Sequence, residues 1–238
     1  SRRDRPLVVD LSCLWAGPLA GGLLARCGAE VIKVESPARP DGARGGPPAF
    51  FDLLNAGKRS LALDLASPGG RAALARLVEV ADLVIESSRP RAAEQLGLEP
   101  GRTGWVSVTG YGRSGPGRDW VAFGDDASAA AGLPAVTGGA RAPVFCGDAL
   151  ADPAAGLHAA VAALALLLGR SSQLVEVALR EVVGHMLIGA RPLPPDPGPP
   201  PPVAPPRARR PAGPGPGLGQ HTAEVLARLG CRPGRPLR

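Results

Sequence analysis

Residues 7–35 read LVVDLSCLWAGPLAGGLLARCGAEVIKVE. Leu7-Val8-Val9-Asp10-Leu11 is a short apolar run of the kind that forms a strand buried on both faces. Ser12 to Pro18 reads as a loop. Leu19 to Cys27 has the pattern of a helix in spite of Gly21 and Gly22, and Gly28 stops it. Val31-Ile32-Lys33-Val34-Glu35 is the next strand. A strand, a helix and a second strand in so short a span make a βαβ unit, with parallel strands and a right-handed crossover.

The alternation continues outward from this unit. Ser36 to Gly57 is polar and rich in Pro and Gly, and reads as a long functional loop or a short helix. Ser60 to Leu65 is a strand. Ser67 caps a helix from Gly69 to Ala81, with Pro68 at its first position. Leu83 to Glu86 is a strand, Arg91 to Leu96 a short helix, and Trp105 to Thr109 a strand that runs into the glycine-rich loop Gly110–Gly117. Asp126 to Ala131 is helical. Ala154 to Leu168 is apolar on every face, which marks a buried helix. Leu174 to Leu179 is a strand and Arg180 to Ile188 a helix. This order predicts an α/β fold: a Rossmann-like parallel sheet with helices on both faces. Ligands of such sheets sit at the carboxyl ends of the strands. Here those ends carry Ser12–Pro18, Ser87–Arg91 and Gly110–Gly117. A dinucleotide fingerprint is absent from the first turn, where Pro18 stands in place of the glycine that would admit a pyrophosphate.

The proline-dominated stretch Arg191–Gly217 cannot pack a core and reads as a polyproline-like or disordered linker. Beyond it Thr222 caps a last helix, Ala223–Leu229, with Glu224 in its first turn. The chain therefore divides into an α/β domain (1–190), a linker (191–217) and a C-terminal helical tail (218–238).

Composition narrows the function. Hydrophobic residues are 45% of the chain but aromatics only 3%, so the core is built of Ala, Leu and Val. Net charge is +6, yet only Lys33 and Lys58 are lysines, and the arginines are scattered apart from Arg207, Arg209 and Arg210. That spread disfavours nucleic acid as a partner and suits a phosphate-bearing small molecule. Cys13, Cys27, Cys146 and Cys231 form no CxxC pair, so neither a metal site nor a disulfide framework is expected. The opening Ser-Arg-Arg-Asp lacks the form of a signal peptide, and a reducing cytoplasm is the expected location. No membrane partner is expected, because the apolar run Ala159–Leu168 is shorter than the roughly 20 residues of a span.

The chemistry centres on Gly147-Asp148-Ala149-Leu150-Ala151-Asp152-Pro153-Ala154-Ala155-Gly156-Leu157-His158. Asp152-Pro153 has the form of an N-cap followed by Pro at the first helical position. A carboxylate near helix N-terminal N–H groups stays ionised at neutral pH and can attack an acyl group. Capping and nucleophilic roles both remain open on spacing alone.

Several stretches in order resemble the family III CoA-transferases, the group of formyl-CoA and carnitine CoA-transferases with α-methylacyl-CoA racemase as a related branch. They are VVDLSCLWAGPLAGGLLARCGAEVIKVESP (8–37), LLNAGKRSLALDLASPGGRAALARLVEVADLVIESSRP (53–90), WVSVTGYGRSGPG (105–117) and DPAAGLHAAVAALALLLGR (152–170). LGQHTAEVLARLG (218–230) is similar to the family's C-terminal end. The resemblance implies that Asp152 is the nucleophile that carries acyl and CoA groups in turn between an acyl-CoA and a carboxylic acid. Asp148 does not sit at the family position. It implies coenzyme A as a substrate lying against Leu14, Trp15 and Ala16, then Ser36, then Leu63, Leu65 and Ala66, then Ser87, Ser88, Arg91 and Gln95, with Arg39 and Arg89 near its phosphates. Family members carry basic or aromatic residues at the Ser36, Ala66, Ser88 and Gln95 positions. The racemase branch uses a His-Asp pair where this chain has Phe123-Gly124-Asp125-Asp126, so racemisation is the weaker expectation. His158 is expected to be a core or supporting residue. The linker stands where the family has a small domain, and a homodimer is implied. A truncated relative that binds CoA or a partner without turnover is the alternative.

Overall fold

The structure is a computed structural model that describes residues 5–98, 100–101, 103–138, 141–190, 202, 204, 207 and 209–231. Six strands form one sheet: β1 (Leu7–Asp10), β2 (Glu30–Glu35), β3 (Arg59–Ala62), β4 (Leu83–Glu86), β5 (Gly104–Thr109) and β6 (Leu174–Ala178). Their order is β3-β2-β1-β4-β5-β6 and every pair is parallel. This is the doubly wound order, and it reverses between β1 and β4, where a crevice opens at the carboxyl ends.

Side-chain alternation along the strands feeds two cores. Val8, Val31, Leu83, Ile85, Val106 and Val108 point to one face, under α1 (Ala16–Arg26), α5 (Gly124–Ala130), α7 (Ala151–Gly169) and α8 (Leu179–Met186). Val9, Ile32, Val34, Leu61, Val84 and Trp105 point to the other, with Leu74 and Leu77 of α3 (Pro68–Glu79), Ala93 of α4 (Pro90–Gln95) and Val225 of α9 (Thr222–Arg228). The Ala-rich composition lets α1 and α7 lie close together. A Cβ at Gly156 of α7 would stand 2.7 Å from the Ala16 carbonyl oxygen, so only glycine admits this approach. By length and composition α7 could cross a membrane, but its Ala155, Ala159 and Ala163 are fully buried in this core. Its outer face leaves Leu157, Val161 and Leu168 exposed.

Several boundaries differ from the sequence reading. Helix α1 begins at Ala16, not Leu19, and α7 begins at Ala151, not Ala154. In each, the proline (Pro18, Pro153) is the third helical residue. The first four N–H groups of a helix have no intrahelical acceptor, so a proline there loses no bond. The Ser36–Gly57 stretch folds into a 3-10 turn, Gly42–Gly45, and α2, Pro48–Asn55. Helix α6, Leu133–Gly138, was not expected. Ser67 does cap α3, accepting from the Gly70 N–H at 3.0 Å.

Of the proline-rich stretch, residues 191–201 lie outside the described residues. Its later part packs, against expectation: Pro216 is buried, the Gly215 N–H donates to Asp52 Oδ1 at 2.7 Å, and Arg44 donates to the Pro216 carbonyl at 3.0 Å. Thr222 is the first residue of α9 rather than its cap, and its hydroxyl accepts from the Ala62 N–H at 3.0 Å. His221 Nδ1 accepts from the Ser60 N–H at 3.1 Å, and its own N–H donates to the Ser60 carbonyl at 2.9 Å. The tail thus covers the open edge of β3, whose unpaired backbone would otherwise be a template for another strand.

Candidate active site at the meeting of three helix starts

Asp152 does not cap its own helix. It is the second residue of α7, Leu150 holds the cap position, and no side chain caps the helix. Its carboxylate lies instead where α1, α5 and α7 begin. The N–H groups of Gly124 and Ala16, the first residues of α5 and α1, face it and favour its anionic form. Burial acts the other way and is the largest influence, with the Asp125 and Asp148 carboxylates adding to it. The balance raises the Asp152 carboxyl from the usual 3.8 to about 6. The result is a half-buried carboxylate that is more basic than an ordinary aspartate and still mostly ionised at pH 7.

Both approaches to this point are bent. Leu14, two residues before α1, and Ala149, two before α7, hold φ of 67° and 48°, the left-handed region that costs a non-glycine residue about 1–2 kcal/mol. Side chains hold each bend in place. Asp41 Oδ1 accepts from the Leu14 N–H at 2.9 Å, and Asp125 Oδ1 accepts from the Ala149 N–H at 3.0 Å. Gly124 has no room for a side chain: a Cβ there would lie 2.3 Å from the Ala149 carbonyl oxygen and 2.6 Å from Asp152 Oδ2. Gly124→Ala is therefore expected to cost about 1–3 kcal/mol in urea denaturation, because backbone must move to admit the methyl group.

Beneath the first loop lies a charged network that carries both lysines of the chain. Lys58 Nζ pairs with Asp10 Oδ2 at 2.7 Å and donates to the Pro18 carbonyl at 2.8 Å and Asn55 Oδ1 at 2.9 Å. Lys33 Nζ pairs with Asp41 Oδ2 at 2.7 Å and donates to the Ser12 carbonyl at 2.8 Å. All four charged side chains are completely buried. Burial works against the charge on Asp10, but the ammoniums of Lys58 and Lys33 outweigh it and hold the carboxyl below its usual range. Burial pushes Lys58 down to about 8, against the pull of Asp10. For Lys33 burial is outweighed by Asp10 and Asp41, and the pKa rises. Glu86 at the end of β4 organises the neighbouring loops. It is fully buried and accepts from the Ser88 N–H at 2.8 Å and from Arg113 at 3.0 Å.

The residues expected to line CoA all lie at or beyond the carboxyl ends of β1 to β4. Ala16 is buried, Leu14 and Trp15 are half-buried, and Trp15 meets the Phe50 ring edge-on at 5.2 Å. Ser36 is half-buried and bridges to Arg39. Leu65 is half-buried and Ala66 exposed, whereas Leu63 is buried in the core and offers only backbone. The Ser87 hydroxyl accepts from the Cys13 N–H at 3.1 Å and ties the loops after β1 and β4 together across the crevice. The Ser88 hydroxyl is spent on Glu86 at 2.5 Å. Arg39, Arg89, Arg91 and Gln95 are exposed. Two expectations fail. Asp152 is not an N-cap, and His158 is neither core nor support for Asp152: it is exposed, with Nδ1 2.9 Å from the Ala154 carbonyl oxygen one turn back. Sequence reading missed Arg71, which donates to the Ala66 carbonyl at 2.7 Å and so sets a cation beside the Leu65–Ala66 wall. It also missed Asp41, whose only local signal is an acidic residue two positions before the 3-10 turn's Ala43, whose N–H it accepts at 2.9 Å.

Relatives of known name share this sequence and fold. The chain is 36% identical over 210 residues to a succinyl-CoA–D-citramalate CoA-transferase of Chloroflexus aurantiacus, a match covering 76% of this chain and 51% of the relative. It is 36% identical over 200 residues to a probable fatty acyl-CoA transferase, Rv3272, of Mycobacterium tuberculosis, covering 74% and 50%. The crystal structure of the Rv3272 protein superposes with a TM-score of 0.72 at 32% identity, covering 79% of this chain and 59% of that one. A CAIB/BAIF family protein from Brucella suis gives 0.67 at 30%, covering 77% and 55%. The chain spans about half the length of the curated relatives it matches. The family model for CoA-transferase family III matches residues 6–190, the whole α/β domain up to the end of the helix after β6, and the chain belongs to that family.

Proposed function

We propose that this protein transfers CoA between an acyl-CoA and a carboxylic acid, with Asp152 as the covalent carrier. The observation that carries this reading is the Asp152 carboxylate, raised to about 6 at the meeting of three helix starts. A carboxylate Oδ of Asp152 attacks the thioester carbonyl, the C–S bond breaks, and a mixed anhydride and CoA thiolate result. The thiolate attacks the Asp152 carbonyl of the anhydride, freeing the donor acid and leaving an aspartyl-CoA thioester. The acceptor carboxylate repeats the exchange in reverse and restores Asp152. In this reading the Ala16 and Gly124 N–H groups, which favour negative charge at Asp152, serve the oxyanion that forms on the Asp152 carboxyl carbon when the thiolate attacks it. Burial keeps water from the anhydride and thioester. CoA itself would follow the crevice from Leu14–Ala16 past Ser87, with Arg39, Arg71, Arg89 and Arg91 in reach of its phosphates. A homodimer in the cytoplasm is part of this reading, and it fits the four free cysteines.

The test is chemical trapping. Incubation with an acyl-CoA followed by hydroxylamine should leave a hydroxamate, found by mass spectrometry, on the peptide that contains Asp152. Absence of that adduct, with CoA still bound, would mean a binding module without turnover. The pH dependence gives a second check. Asp152 must be ionised to attack, so kcat/KM for the donor should be half-maximal near pH 6 and fall about tenfold per unit below pH 5. A flat profile down to pH 4.5 would contradict the raised carboxyl.

A further inference from the structure

We infer that this site accepts an uncharged, apolar acyl group and turns away acyl groups that end in a second carboxylate. The inference rests on the CoA-transfer reading and goes beyond it to substrate class. Two segments border Asp152: the one that runs into Gly124 and the one that runs into α7. From the first, Trp120, Val121 and Phe123 stand 62%, 64% and 54% exposed, and from the second, Val144 and Phe145 stand 51% and 58% exposed. The chain has only eight aromatic residues, all of them described, and the three that are exposed are Trp120, Phe123 and Phe145. Exposed aromatics are thus confined to the two borders of the candidate nucleophile. The borders are also held in place, Val144 by its N–H donating to the Pro134 carbonyl of α6 at 3.3 Å. Phe123 directly precedes the Gly124 N–H that faces Asp152, Ala149 is tied to Asp125, and Trp120 packs edge-on against Tyr111 at 5.6 Å. Large apolar groups held open to solvent on fixed backbone mark a surface meant to be covered by an apolar ligand.

The charge around Asp152 has one sign. The two side-chain charges with the strongest hold on it are Asp125 and Asp148, and Asp126 follows Asp125 in the first turn of α5. From Leu11 to Ala25 the sequence carries no basic side chain, and from Asp119 to Gly169 only Arg141 and the exposed His158. Arg113, in the loop after β5, is committed to Glu86, and Arg180, at the start of α8, to Glu181. A carboxylate at the far end of a donor such as succinyl-CoA would meet two or three aspartates; among the described residues of these segments the basic groups are Arg141, the exposed His158 and Arg118, which is held by Glu94 and Asp119. A hydrocarbon or aromatic acyl chain would meet Trp120, Phe123 and Phe145 instead.

The experiment compares octanoyl-CoA with succinyl-CoA as donors to the whole chain, reading the rate of hydroxamate formation on the Asp152 peptide. Acylation by octanoyl-CoA at least tenfold faster supports the inference, and equal or faster acylation by succinyl-CoA overturns it while leaving the transfer reading intact. Labelling by neither overturns the transfer reading and the inference together. A Phe145→Ser variant supplies the second arm. A fivefold or greater loss with octanoyl-CoA and none with succinyl-CoA supports the inference. Unchanged acylation by both, with loss of self-association in ultracentrifugation, would make the rim a protein interface and overturn it.

Discussion

Asp152→Asn is expected to lose transfer activity by at least about a thousandfold, because an amide cannot displace the thiolate and no other carboxylate shares the Asp152 position. The N–H groups of Gly124 and Ala16 face Asp152, and the Asp125 and Asp148 charges act on it by raising its carboxyl. The same variant should be more stable than the parent at pH 7. The folded-state carboxyl is raised above its usual 3.8, so the folded protein holds the proton more tightly than the unfolded chain. Ionisation of Asp152 therefore costs stability above about pH 6, and the cost vanishes below about pH 4. It is on the order of 2 kcal/mol once partial exposure is allowed for. Urea denaturation should show the variant ahead at pH 7 and level at pH 4. A variant that is inactive and also less stable at pH 7 would mean that Asp152 serves structure.

Lys58→Met is expected to cost about 3–5 kcal/mol, the usual penalty for leaving one member of a buried ion pair alone. Asp10 would keep its hydrogen bond from the Ser12 N–H at 3.0 Å and the more distant charge of Lys33, but lose the ammonium paired with it. The Pro18 carbonyl and Asn55 Oδ1 would lose their donor as well. Adding Asp10→Asn in the same chain should restore a large part of the loss, since the charge left unpaired is then gone. Urea denaturation of the single and double variants measures both. If Lys58→Met alone were silent, the network would be an incidental feature of the fold. Because this network lies under the first loop, its loss should also disturb the position of the Ala16 N–H at Asp152.

The sheet was readable because five of the six strands are short segments rich in Val, Leu or Ile, β3 continues into the alternating Ser60–Leu65, and clear stops lie between them. The strand-and-helix sequence then left one architecture. What escaped was where two helices begin. Local rules end the first loop at Pro18 and give Pro153 the first helical position, its commonest place. Helix α1 starts three residues before Leu19 and α7 three before Ala154, and those two starts build the site. Tertiary contacts decide this: Leu14 and Ala149 take left-handed backbone that no local rule assigns to Leu or Ala, held there by Asp41 and Asp125 from elsewhere in the chain. Lys33 and Lys58 are the only lysines of the sequence, but their pairing with Asp41 and Asp10 spans 8 and 48 positions and leaves no trace in spacing. The packed end of the proline-rich stretch escaped for a different reason. Composition shows that such a segment has few apolar groups to bury, yet Pro216 needs only the gap between α2 and the 3-10 turn.

The tail across β3 also sets an order of events during synthesis. Ser60 meets its partners at Gly219 and His221 only after about 160 further residues have left the ribosome. Until then β3 offers bare N–H and C=O groups while the rest of the sheet can already assemble. Nascent chains stalled before Gly219 should therefore be the ones that chaperones hold and that join edge to edge. Arrival of the Gly219–Thr222 segment at β3 is the step that makes the newborn domain safe from its neighbours.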